Sequence, residues 1–126
     1  MILIDSDMLI WYTRGHPAAK ARLAQINPWR ISTITYLELA QGCRSKEELQ
    51  RAKRGLATKK TEILPLTPAI CERAMALIDA YALPSGLQLA DALIAATAIE
   101  HDLALLTANT KHFAPIKGIR TERFEL

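Results

Sequence analysis

The chain has 126 residues, of which half are hydrophobic and 23% charged, with two cysteines and a formal net charge of +3. That composition excludes a disordered chain, a disulfide framework and a cysteine-based zinc site, and it suffices for one domain, residues 1–126, built on one core. The small positive balance permits a polyanionic partner without demanding one.

Met1-Ile2-Leu3-Ile4 is an apolar run suited to a buried strand, and it ends on Asp5-Ser6-Asp7. No basic stretch precedes it and acids follow it at once, so it is read as a strand and not as a signal peptide; the expected location is the cytoplasm. Met8, Leu9, Trp11 and Tyr12 then keep helical spacing up to Gly15-His16-Pro17, with Asp7 where a helix N-cap belongs. Residues 17–26 predict a second helix and residues 29–33 a second strand. Thr35 and Glu38 match a capping box, and Gly42 is placed to end the helix it starts. A charged helix over 45–60 and a short strand over 62–66 follow. Thr67-Pro68 opens a helix to about Tyr81, and Leu83-Pro84-Ser85-Gly86 reads as a loop. Ser85 with Gln88 forms a second capping box, for a helix to about His101; residues 104–107 and 118–121 complete the strands. The most apolar stretch, Leu87 to Ile99, is broken by Asp91 and is too short to span a bilayer.

Short apolar strands alternating with helices predict an α/β chain, three-layer α/β/α, around a central parallel sheet of four to five short strands. Ligands of such folds gather beyond the carboxyl ends of the strands. Asp5 and Asp7 follow the first strand, Glu38 lies in the helical turn after the second, and Thr107 and Asn109 follow the fourth. All can face one crevice.

Asp5 is attached directly to a buried strand, so its charge needs compensation, whereas Asp7 has a sufficient role as a cap. Glu38 either reaches back to the Thr35 N–H or faces the crevice. Asp91 is the only charge between Leu89 and Ile99. Counted from a cap at Ser85 it falls beyond the first turn, where an unpaired carboxylate costs several kcal/mol. It therefore calls for a cation, and its own helix carries none. Asp5, Glu38 and Asp91 together predict a site of several carboxylates, which repel unless a metal sits between them or their pKa values rise. Oxygen-only ligands select Mg²⁺, or Mn²⁺ in its place, and phosphodiester hydrolysis is the reaction such a centre suits. Thr107 and Ser6 are candidates for orienting Asp5 or a water; satisfying local backbone groups is the alternative.

Four segments carry a resemblance. They are Ile2-Leu3-Ile4-Asp5-Ser6-Asp7-Met8-Leu9-Ile10, Ser32-Thr33-Ile34-Thr35-Tyr36-Leu37-Glu38-Leu39-Ala40-Gln41-Gly42, Leu89-Ala90-Asp91-Ala92-Leu93-Ile94-Ala95-Ala96-Thr97-Ala98 and Leu105-Leu106-Thr107-Ala108-Asn109-Thr110-Lys111-His112-Phe113. Each alone is weak, but in this order and at this length they resemble the PIN-domain family, specifically the VapC-type ribonuclease toxins of toxin–antitoxin pairs. The resemblance implies a metal-dependent endoribonuclease whose first three acids map onto Asp5, Glu38 and Asp91. It also implies a homodimer, a small antitoxin partner, and structured RNA targets such as transfer RNA or ribosomal RNA loops. The family often has further acids in the last segment, where this chain has Asn109 and His112. Asn109 brings no charge and can reach a metal through water, so one Mg²⁺ is expected; His112 is read as a surface residue beside Phe113.

Seven basic residues against two acids lie between Arg44 and Lys60. Arg44, Lys46, Arg51, Lys53 and Arg54 are candidate RNA phosphate contacts, a solvated helix face being the alternative. Trp11, Tyr12, Trp29 and Tyr36 can stack on bases, although core packing suits most of them better. Leu37, Leu39 and the helix from Ala69 to Tyr81 offer an apolar face for the antitoxin or a second copy.

Two other enzymes and modules fit worse. A haloacid-dehalogenase-type phosphatase needs a late acidic pair just past a strand, and a receiver-type module needs an Asp ending the central strand, which Glu62-Ile63-Leu64-Pro65-Leu66-Thr67 lacks. A PIN-like domain that only binds RNA or a partner is the alternative of a different class, with Asn109 as its argument.

Overall fold

The computed structural model describes residues 1–125. In chain order they form β1 (Ile2–Ile4), α1 (Ser6–Thr13), α2 (Pro17–Ala24), β2 (Arg30–Ser32), α3 (Thr33–Gly42), α4 (Lys46–Thr58), β3 (Glu62–Leu64), α5 (Pro68–Ser85), α6 (Leu89–Glu100), β4 (Ala104–Thr107), α7 (Thr110–Phe113) and β5 (Thr121–Arg123). Every strand pairing is parallel, as alternation with helices requires. The strands fall into two hydrogen-bonded groups, β1-β4-β5 and β2-β3, with β1 lying beside β2.

Successive strand residues point to opposite faces, and that alternation builds two cores. Leu3 and Leu105 face α5, α6 and α7, packing with Ile70, Leu77, Ala95 and Phe113. Ile4 and Leu106 face the other way, toward Met8, Leu9, Leu23 and Leu56. Each such fully buried side chain contributes about 1.5–3 kcal/mol, so β1 and β4 are anchored on both sides. In register, Ile4 pairs with Leu106, and the Asp5 N–H donates to the Leu106 carbonyl at 3.0 Å. The carboxyl ends of β1 and β4 therefore stand level.

Several boundaries differ from the sequence expectations. Asp5, not Asp7, caps α1, its Oδ1 accepting from the Ser6 N–H at 2.8 Å. Ser32 caps α3 by accepting from the Ile34 N–H, so Thr35 lies inside the helix and no capping box forms with Glu38. The loop expected over residues 83–86 is the last turn of α5, closed by Gly86 at φ 68, a left-handed position that glycine takes without strain. Pro84 fits because it sits within two residues of the helix end, where one lost backbone bond does not interrupt a longer run. Ser85 caps nothing; α6 begins at Leu89 after Gln88. The last strand starts at Thr121 and not at Gly118, which turns the chain at φ 87. α7 is a single turn too short for periodicity to reveal. Among the described residues no helix is long and apolar enough to cross a membrane.

Candidate active site

The crevice forms where β1 and β4 end. Asp5 is 6% exposed, pinned at Oδ1 by the Ser6 N–H and at Oδ2 by the Thr107 hydroxyl, which donates at 2.7 Å. The same Thr107 oxygen accepts from the Asn109 N–H at 3.0 Å. Glu38 projects from α3 toward α1, where its Oε1 accepts from the Ser6 hydroxyl at 3.0 Å. Of the two readings of Glu38, the crevice-facing one holds. Ser6 and Thr107, expected to orient, each hold one of the expected acids.

Asp91 reaches the same place from α6, but by a different route than its sequence setting implies. It stands in the first turn of α6 and is half-buried, because the helix starts at Leu89. Its neighbour is His112, exposed as expected, whose Nδ1 lies 3.5 Å from Asp91 Oδ2.

Asp7, placed by the sequence near the crevice but assigned to the helix cap, belongs to the crevice instead. Relieved of the capping role, its Oδ1 accepts from the Met8 N–H, while Oδ2 accepts from the Ala108 N–H and the Asn109 side-chain amide, both at 3.2 Å. Asn109 is thus the partner of Asp7. The signal was present: two acids flanking one serine at a strand end place both carboxylates at the mouth of the same turn.

The electrostatics tie the acids together. Burial pushes the Asp5 carboxyl above the usual range, opposed by its hydrogen bonds from Thr107 and Ser6. Asp7 is pushed up to about 6, first by burial and then by the charge of Asp5. Glu38 is raised by burial, with Asp5 and Asp91 adding to the shift and Ser6 opposing it. Asp91 is raised by burial and by Asp5, with His112 opposing. Asp5 acts on all three others, so the four carboxylates share one field.

Such a field holds protons or a cation. Among the described residues no three Asp, Glu, His or Cys side chains are arranged to hold a metal ion directly between them. The oxygen-only donor set nevertheless fits a hard divalent ion that takes one or two carboxylates and keeps several waters, and ionising these raised carboxyls is what such an ion favours. Asp5, Glu38 and Asp91, with Asn109 through water, are the residues that could hold it.

The basic candidates divide. Arg44 and Arg51, with Arg14, surround the buried Glu48 at 2.9, 4.0 and 3.6 Å. Lys46, Arg51 and Arg54 line an open cleft of about 460 Å³, whereas Lys53 lines another with Tyr36 and Lys60. Three of the five thus share one cleft and Lys53 lies in the other. Trp29 is buried with Tyr12 edge-on at 5.0 Å, and Trp11 packs against His16 and Phe124, so these aromatics serve packing.

A family model described as "PIN domain" matches residues 2–118. The ribonuclease VapC10 of Mycobacterium tuberculosis is 38% identical over 124 residues, covering 95% of this chain and 91% of that protein. A toxin–antitoxin complex from Klebsiella pneumoniae contains a chain that superposes with a TM-score of 0.80 at 36% identity, over 98% of this chain and 100% of the other. VapBC2 from Rickettsia felis, bound to a DNA fragment from its promoter, gives 0.83 at 24% identity, over 99% and 100%. That last likeness is one of fold.

Proposed function

This chain belongs to the PIN-domain family, and from that premise we propose that it is a VapC-type endoribonuclease toxin, dependent on Mg²⁺ with Mn²⁺ as a substitute. The observation that carries the reading is the convergence of Asp5, Glu38 and Asp91 from three separate elements, with the Asp5 charge acting on both others. Carboxylates brought together at a fold's ligand-binding end, each made harder to ionise by the rest, are poised for a divalent cation.

Asp5, Glu38 and Asp91 would hold the ion, with Asn109 reaching it through water. When bound, the cation supplies positive charge to the phosphoryl oxygens and makes a nearby water more acidic. Thr107 fixes Asp5 Oδ2 and Ser6 fixes Glu38 Oε1, so neither carboxylate must reorganise during the reaction. Glu38 Oε2, which has no hydrogen-bond donor among the described residues, accepts the proton of the water that attacks the phosphodiester in line. The products carry 5′-phosphate and 3′-hydroxyl ends.

The partners in this reading are structured RNA, such as transfer RNA or ribosomal RNA loops, a small inhibitory antitoxin in the cytoplasm, and a second copy of the chain. The toxin–antitoxin complexes that share the fold support the antitoxin. Of the expected apolar face, Leu37 and Met75 are exposed whereas Leu39 is buried in the core; Leu37 and Met75, with the exposed Leu83 and Leu89, offer apolar surface for protein contacts.

The test is hydrolysis of purified transfer RNA and ribosomal RNA with Mg²⁺ or Mn²⁺, compared with chelator and with Asp5→Asn and Asp91→Asn. Cleavage that needs both the cation and the two acids bears the proposal out. A 2′,3′-cyclic phosphate product contradicts the water mechanism. Binding of RNA without cation-dependent cutting replaces it with the second reading, a PIN-like module weakened by Asn109 in place of an acid.

A further inference from the structure

Beside the acidic crevice lies a basic cleft of about 330 Å³, lined by Ala108, Asn109, Thr110, Lys111, His112 and Arg123. Two side chains of its lining touch the acids: the Asn109 amide donates to Asp7, and His112 stands against Asp91. Arg123 enters from β5, where it is the register partner of Thr107, the residue that holds Asp5. The cleft therefore abuts the acids along one side.

Its cations are free of structural duty. Among the described residues Lys111 has no acidic partner, and Arg123 has only Glu125 at 3.9 Å, with both side chains well exposed. An exposed pair of that kind contributes about 0–1 kcal/mol, so Arg123 is available to a ligand. This contrasts with Arg14 and Arg44, which stand 3.6 and 2.9 Å from the buried Glu48.

RNA approaching four carboxylates meets repulsion on every phosphate that does not face a cation. Lys111 and Arg123 offset that repulsion where the chain leaves the crevice, and a planar guanidinium opposite a point ammonium is a pairing suited to phosphate oxygens. We propose that this cleft is a phosphate subsite, in which Lys111 and Arg123 hold an RNA backbone phosphate beside the scissile one. The proposal rests on the nuclease reading. It makes the two residues positioning residues that grip the strand and leave the proton transfers to the acids.

The experiment is fluorescence anisotropy of a short, fluorescein-labelled, random-sequence single-stranded RNA on the full chain in EDTA, across a salt series, so that affinity is read without cleavage. Lys111→Ala/Arg123→Ala is expected to weaken binding about tenfold or more and to flatten the slope of log K against log salt by about 0.7 for each phosphate no longer neutralised. Lys20→Ala, which removes one charge from the exposed side of α2, is expected to change affinity by less than about twofold, and Lys111→Arg/Arg123→Lys to keep most of it. An unchanged affinity and slope in the alanine double variant overturns the subsite, as does a loss per charge no larger than that of Lys20→Ala. A double variant that binds RNA normally but loses the antitoxin overturns it too, in favour of a protein-docking surface. Failure of the nuclease reading shows differently: the unaltered chain then cuts no RNA with Mg²⁺ or Mn²⁺, whatever the anisotropy gives.

Discussion

The Thr107 hydroxyl donates a 2.7 Å hydrogen bond to Asp5 Oδ2, joining the last residue of β4 to the residue that follows β1. Because the same oxygen also accepts from the Asn109 N–H, one buried side chain fixes both the carboxylate and the turn that leads to Asp7's partner. Thr107→Val keeps the shape and removes both bonds. It is expected to cost about 1–3 kcal/mol in urea unfolding, the range for leaving buried polar groups unpaired. Cleavage is expected to fall about 10–100-fold, as when an outer partner of a metal ligand is lost. Thr107→Ser, which retains the hydroxyl, should keep most of both.

Apart from the single turn α7, the order and kind of elements were legible from apolar periodicity, and so was the nearness of Asp5, Glu38 and Asp91 to one another. The helix starts were not, and three site details followed from them. Capping needs only a short side-chain oxygen at the right backbone angle, and Asp5 and Ser32 supply it where Asp7 and Thr35 were expected to, while Gln88 precedes its helix, in place of Ser85, with no side-chain cap bond. Moving the cap from Asp7 to Asp5 frees Asp7 for the crevice; moving it from Thr35 to Ser32 frees Glu38 for Ser6. Asp91 was singled out by the apolarity of its helix, yet its location depends on where that helix begins. Pairings such as His112 with Asp91 join segments 21 residues apart in sequence, which no local pattern encodes.

The raised carboxyls give a pH dependence with a definite sign. The Asp7 carboxyl moves from 3.8 up to about 6, so over that interval the folded chain holds more protons than the unfolded one, and stability falls as pH rises. Asp5, Glu38 and Asp91 shift in the same direction. Mg²⁺ competes with those protons, since a carboxylate must be ionised to ligate. Thermal melts should therefore show Mg²⁺ raising Tm more at about pH 8 than at about pH 5; equal shifts, or none, contradict the shared site.

Glu38→Gln separates stability from activity. The amide carbonyl can still accept from Ser6, while the charge opposed by Asp5 and Asp91 disappears. In the absence of divalent ions at neutral pH its Tm should rise above that of the unaltered chain. Cleavage should drop about 10²–10⁴-fold, the range for losing a general base.

Glu48 carries the opposite linkage. Hydrogen bonds from Arg44, with the charge of Arg14 nearby, hold its carboxyl below the usual range. A lowered carboxyl contributes stability above its unfolded pKa and loses it as pH falls through the folded value. Glu48→Gln should lower Tm at neutral pH and make little difference in strong acid, with cleavage by the folded fraction unchanged.

Titration calorimetry with Mn²⁺ on the purified, metal-stripped chain tests most directly whether the acids converge on a cation. The unaltered protein is expected to take up one ion, with affinity reduced about tenfold or more in Asp5→Asn and in Asp91→Asn, as for loss of a metal-binding group. No uptake, or uptake that neither substitution weakens, would contradict the assignment of this crevice as a metal centre.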